Sequence, residues 1–175
     1  MSASLRLHFL AVVVALIGAG MGCRTEGLAF RADERIEIVS PRDRSTVKLP
    51  VDLRWTVEDF RATGRDGSDT TDSGYFGVFL DTSPIPPGET LDYVARGDVS
   101  CRKSAGCPDE RYLAERGIRT TTATSMRLET LRDNRPIDRP SAPDDHEITI
   151  VLLNGQGERI GESAFKVEFR LDRGN

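Results

Sequence analysis

The sequence predicts an all-β protein, two antiparallel sheets packed as a sandwich, and three stretches carry that prediction. At the C-terminal end, residues 146–153 form a short, β-branched apolar run. Residues 165–171 then alternate, with Phe165, Val167, Phe169 and Leu171 on one face and Lys166, Glu168 and Arg170 on the other. Asn154-Gly155 between them supplies the positive φ of a tight connection, so the two arms are expected to pair directly. The second stretch is 51–57, the cleanest alternation in the chain, with Val51, Leu53, Trp55 and Val57 inward and Asp52, Arg54 and Thr56 outward. The third, 75–80, is apolar on both faces and is expected to be central in a sheet or covered by another segment. A lone hairpin is marginal in water, so its apolar face requires a second layer.

The chain begins with a leader. Arg6 precedes an uncharged run over 9–17 and small residues up to Cys23, which is the pattern of a secretory signal peptide over 1–22. The apolar run falls short of the about 20 residues that a membrane-spanning helix needs. Gly20-Met21-Gly22-Cys23 resembles the lipobox of bacterial lipoproteins, with Gly20 where those motifs usually carry leucine. The resemblance implies that Cys23 is lipidated, with a diacylglycerol thioether and a further acyl chain such as palmitate on its amine. Two or more chains anchor stably where one does not. It also implies a place in the cell envelope, anchored on the exported side of a bacterial membrane. Residues 23–35 then read as the lipidated cysteine and a polar tether, reaching at most ~40 Å.

The remaining length, 36–175, suits one domain with one core. A net charge of −4, with basic residues dispersed among acids, argues against a nucleic-acid partner. With Cys23 committed to the anchor, Cys101 and Cys107 are left as a pair. In an oxidising compartment they would close a short disulfide ring worth roughly 2 kcal/mol; two reduced thiols are the alternative. No further cysteine or nearby histidine completes a tetrahedral metal site.

In the body of the domain, Ile36 to Val39 is a short strand stopped at Ser40-Pro41. Val47 and Leu49 lead past Pro50 into the alternating strand, whose Trp55, the only tryptophan, is expected at the centre of the core. A proline-flanked strand ending in apolar-x-apolar-x-Trp resembles the second strand of fibronectin type III and related immunoglobulin-like sandwiches. Residues 125–131 resemble their fifth strand, and 146–153 and 165–171 their last two. His146 stands roughly where those domains often place a tyrosine. The resemblance implies an immunoglobulin-like or fibronectin III-like sandwich and no chemistry.

Two connections are long. Residues 58–74 carry Asp59, Asp66, Asp69 and Asp72, and a calcium site there would draw on Asp66, Asp69 and Asp72. Their spacing is not that of an EF-hand, and a solvated loop is the simpler reading, so no metal or cofactor is assigned. Residues 82–124 are an insertion expected to hold an edge strand at 91–95, the cysteine ring and one short helix over 108–116 capped by Gly117. An ordered insertion of this length is where binding function tends to sit.

No catalytic residues are assigned. His146 is the only histidine beyond the leader; Asp145 beside it could orient it, but a turn histidine bonded to backbone is the simpler reading. Arg96-Gly97-Asp98, the integrin tripeptide, is a match expected by chance. Ser100-Cys101-Arg102-Lys103 fits S-x-x-K without its companion motifs. The expected function is therefore a non-enzymatic envelope lipoprotein, a binding or structural module that meets an unidentified envelope protein or glycan through its loops. Phe60 and Tyr93 are the expected apolar anchors. The alternative is an accessory module for carbohydrate or peptidoglycan, with or without calcium, which needs two aromatic rings exposed on one face.

Overall fold

The computed structural model describes residues 34–174; the expected signal peptide over 1–22, Cys23 and most of the expected tether lie outside them. Among the described residues, β-strands dominate and form two sheets, as the alternating patterns require. One sheet has the order β1 (Ile36–Ser40), β3 (Val51–Val57), β7 (Ser125–Leu128), antiparallel throughout. The other runs β2 (Ser45–Val47), β9 (Arg159–Leu171), β8 (Asp145–Leu153), β5 (Ser73–Leu80), with β4 (Arg61–Ala62) and β6 (Ile118–Thr121) sharing the last edge of β5. β2 lies parallel to β9 and β4 parallel to β5; the long pairs β5–β8 and β8–β9 are antiparallel.

Leu53 and Trp55 from the smaller sheet meet Phe76, Val78, Ile148, Ile150, Val167 and Phe169 from the larger one in the main core. Trp55 is 3% exposed, and its ring meets Phe76 edge-on at 5.3 Å. Phe60, expected as a surface anchor, instead packs on this core, 5.6 Å from Phe76. Its loop folds back because β4 pairs with the start of β5.

The opposite face of the larger sheet is also buried. Tyr75, Phe79, Val151 and Leu153 point away from Trp55 and meet Ile85, Leu91, Leu113 and Ile118 in a second core. Burial on both faces explains why β5 and β8 read as unbroken apolar runs. The long insertion is thus a cover over the sheet. Arg159, itself buried, donates from its guanidinium to the Ile85 carbonyl at 2.6 Å, and the Gly88 and Arg159 amides donate to the Arg159 and Glu89 carbonyls. The end of the insertion, Ile118–Thr121, is β6 and belongs to the sheet.

Three local expectations change. Residues Leu91–Ala95 form a 3₁₀ turn in place of an edge strand. After one bridge between Thr90 and Glu158, the Tyr93 amide turns back to the Thr90 carbonyl, because a segment lying across a sheet face must satisfy its amides locally. The insertion holds two short α-helices where one was expected. Glu110–Glu115 is the expected one, and Val99–Lys103 is the addition, capped by Asp98 accepting from the Ser100 and Cys101 amides. The Asn154-Gly155 reading of the hairpin also shifts. The positive φ falls on Gly157, at 87°, and Asn154 Oδ1 accepts from the Gln156 and Glu158 amides. The connection is a turn followed by a left-handed glycine, with β8 and β9 still paired on either side.

The registers define two ends. Ile36 pairs with Val57, so the chain enters the sandwich at the end that holds loop 58–72 and the turn 154–158. Val51 pairs with Leu128, and Asp145 with Arg170, so loop 129–144, Asp81 and the tail 172–174 gather at the other. The nine residues of β8 separate these ends by about 30 Å.

Candidate functional site

The far end is organised around His146. β8 opens with Asp145 outward and His146 inward, where the imidazole stacks on the ring of its cross-strand partner Phe169 at 5.6 Å. Its side chain is 1% exposed. A charged or polar ring so buried needs partners on both nitrogens. Asp81 Oδ2 stands 2.8 Å from Nδ1, and Asp144 Oδ1 stands 3.3 Å from Nε2, close enough to pair charge but without hydrogen-bond alignment. The Asn134 side-chain amide lies 3.2 Å from Nδ1.

Each carboxylate is held in turn. Asp81 follows the last residue of β5 with a left-handed φ of 52°, which aims Oδ1 at the Glu147 amide, 2.8 Å away. Asp144, 2% exposed in its side chain, accepts from the Asn134 amide at 2.9 Å and from the Arg173 guanidinium. Arg173 also donates to the Leu131 and Arg132 carbonyls. Two carboxylates therefore face one imidazole and one guanidinium, and the network ties together the end of β5, loop 129–144, the start of β8 and the C-terminal tail.

Burial alone would lower the His146 pKa, but the hydrogen bond and charge of Asp81, joined by Asp144, carry it above the ordinary 6.5. Burial likewise pushes Asp81 and Asp144 up. For Asp81 the His146 bond and the Glu147 amide more than offset it, and for Asp144 the Asn134 amide, Arg173 and His146 do so, leaving both below the ordinary 3.8. With a carboxylate beside each nitrogen, the ring serves as a clasp that is charged when protonated. Asp145, considered from sequence as its orienting partner, points outward and pairs with Arg170 at 3.0 Å.

The clasp holds a constructed loop. Arg135 closes it, donating to Asp133 and, at 2.9 Å, to the Pro140 carbonyl, while the Arg139 and Ala142 amides return to the Pro136 and Arg139 carbonyls. Ile137 at its tip is fully exposed. Open hollows flank the clasp. One of about 550 Å³ includes Arg44, Thr46, Glu168 and Arg170. Another of about 520 Å³ lies between the helix Glu110–Glu115 and loop 129–144. Asp81 borders both.

The acids considered for calcium and the expected apolar anchors do not assemble into a site. Asp66 caps the Ser68 amide, Asp72 lies 3.5 Å from Arg61, and among the described residues no group of three acids, histidines or cysteines could hold a metal. Tyr93 is half-buried against the second core, with the Arg96 guanidinium 3.9 Å over its ring. Among the described residues the aromatic side chains are buried or, at Phe60, Tyr93, Tyr112 and Phe165, half-buried. Cys101 and Cys107 are joined, with Cα atoms 5.3 Å apart, fastening the first helix to the start of the second. Asp81, Asn134 and Arg173 escaped the sequence reading because nothing local marks them. The one available signal at Asp81 was an acid ending a wholly apolar strand.

Compared with known proteins, the chain matches no family model, no curated protein and no solved structure.

Proposed function

We propose that this protein is a membrane-anchored envelope lipoprotein, a non-enzymatic binding module of immunoglobulin-like architecture tethered through Cys23. One observation carries this reading: the chain enters the sandwich at one end, while a loop stapled by Arg135 and clasped through His146 is held at the other. A short tether directs the entry end toward the membrane and leaves the far end facing outward. Rigid loops on a rigid scaffold are the usual place for recognition.

The finer fold assignment is supported by the order β1-β3-β7 set against β2-β9-β8-β5, by Trp55 on β3, and by β7 lying beside β3. His146 takes the place of the tyrosine that often ties the sixth strand of such domains to the preceding loop, and ties it through charge. Burial of the His146 side chain, with a carboxylate beside each nitrogen, favours binding over catalysis. That no described ring is more than partly exposed favours a protein partner over a glycan.

Metabolic labelling with a palmitate analogue, followed by membrane fractionation of wild type and Cys23→Ala, tests the anchor. Label and membrane retention that both vanish in the variant are expected. A variant that keeps either would overturn the tethered reading.

A further inference from the structure

Charge around the hollow between the helix Glu110–Glu115 and loop 129–144 is unbalanced. Arg116, Arg119 and Arg132 border it, as do Glu115 and Asp81. Each acid is already engaged: Glu115 with Arg111 at 3.1 Å, and Asp81 with His146 and the Glu147 amide. Arg116 lies over the Tyr112 ring and 3.8 Å from Asp98. Arg119 bonds its neighbouring Ile118 carbonyl, and among the described residues neither it nor Arg132 has a carboxylate partner. These two guanidiniums come from different elements, β6 and the clasped loop, and border one concavity. Its apolar part is Leu80, Leu131 and Ala114, and Thr82 and Thr130 add hydroxyls.

We propose that this hollow takes an acidic segment of a partner protein, with its carboxylates on Arg119 and Arg132 and its aliphatic parts on Leu80 and Leu131. Arginine matches carboxylate geometry two bonds at a time, and its preorganisation limits the entropy lost on pairing. The clasp fixes the backbone from which Arg132 projects, since Arg173 donates to the Leu131 and Arg132 carbonyls. No aromatic ring borders the hollow, so it has no platform for stacking a sugar. The proposal rests on the binding-module reading above and specifies its partner.

Titration of the purified full-length protein in detergent micelles tests it, with NMR following backbone amides and arginine Nε–Hε groups. The probes are hexaglutamate, hexalysine and polygalacturonate. Hexaglutamate is expected to shift resonances of Thr82, Arg119, Thr130 and Arg132, and to bind at least about tenfold more weakly to an Arg119→Gln/Arg132→Gln protein. Arg54→Gln, on the outer face of the smaller sheet, should bind as wild type does, and hexalysine should leave the hollow unshifted. Shifts scattered over the surface, or unaffected by the double substitution, would overturn the proposal. So would polygalacturonate engaging the same residues as tightly, which would make the ligand an anionic glycan. Loss of membrane anchoring would defeat the tethered reading alone, because this titration does not depend on it.

Discussion

Asp81 Oδ2 lies 2.8 Å from His146 Nδ1, although 65 residues separate them in sequence. The contact joins the end of one central strand to the start of its neighbour, and with Asp144 it makes the His146 cluster the keystone of the far end.

Neighbouring aspartates should differ sharply. Asp144→Ala takes the carboxylate partner from Arg173 and from the buried His146 ring and should cost about 3–5 kcal/mol. Asp145→Ala removes only an exposed pair with Arg170 and should cost within about 1 kcal/mol. Urea denaturation of both proteins at neutral pH measures the contrast.

Stability should be greatest in a mildly acidic window. Because the folded His146 pKa is raised, its contribution is fully present below 6.5 and is lost as pH rises through the higher folded value. Asp81 and Asp144 are lowered, so theirs is present above 3.8 and is lost as pH falls through their folded values. Urea midpoints measured across pH should fall on both sides of that window. A His146→Gln protein should lose the alkaline decline.

The insertion should behave as a cover. Leu113, fully buried in the second core, should cost about 2–5 kcal/mol on truncation to alanine. Deleting 82–117 should bare Tyr75, Phe79, Val151 and Leu153 and produce strong binding of a hydrophobic dye. Dye fluorescence equal to that of wild type would contradict the two-core arrangement.

The hairpin turn offers a smaller test. Asn154→Ala removes the acceptor for two turn amides and should cost about 1–2 kcal/mol, read from the thermal midpoint.

The layers were legible in the sequence because strand alternation is a local signal. Val51, Leu53 and Trp55 bury as their period demands, and the double-sided burial of 75–80 pointed to the covering segment. What that cover would look like was not legible: Leu91–Ala95 is apolar enough for a strand, and only its position across a sheet face makes it turn. The Asp98 cap has the residue type of a helix start, but in sequence it is also the last residue of the Arg96-Gly97-Asp98 tripeptide. The clasp was half legible. His146 and Asp144 are near neighbours, whereas Asp81, Asn134 and Arg173 reach them only through the folded topology, and no spacing rule links such distant positions.

A photocrosslinking residue placed at Ile137 or at Asp69, in the full-length protein within intact cells, tests the proposal that the end bearing loop 129–144 is the one presented. A discrete protein adduct from position 137, absent from position 69 and lost in an Arg119→Gln/Arg132→Gln background, is the predicted result. Adducts from position 69 alone, or the same adducts from both positions, would contradict it.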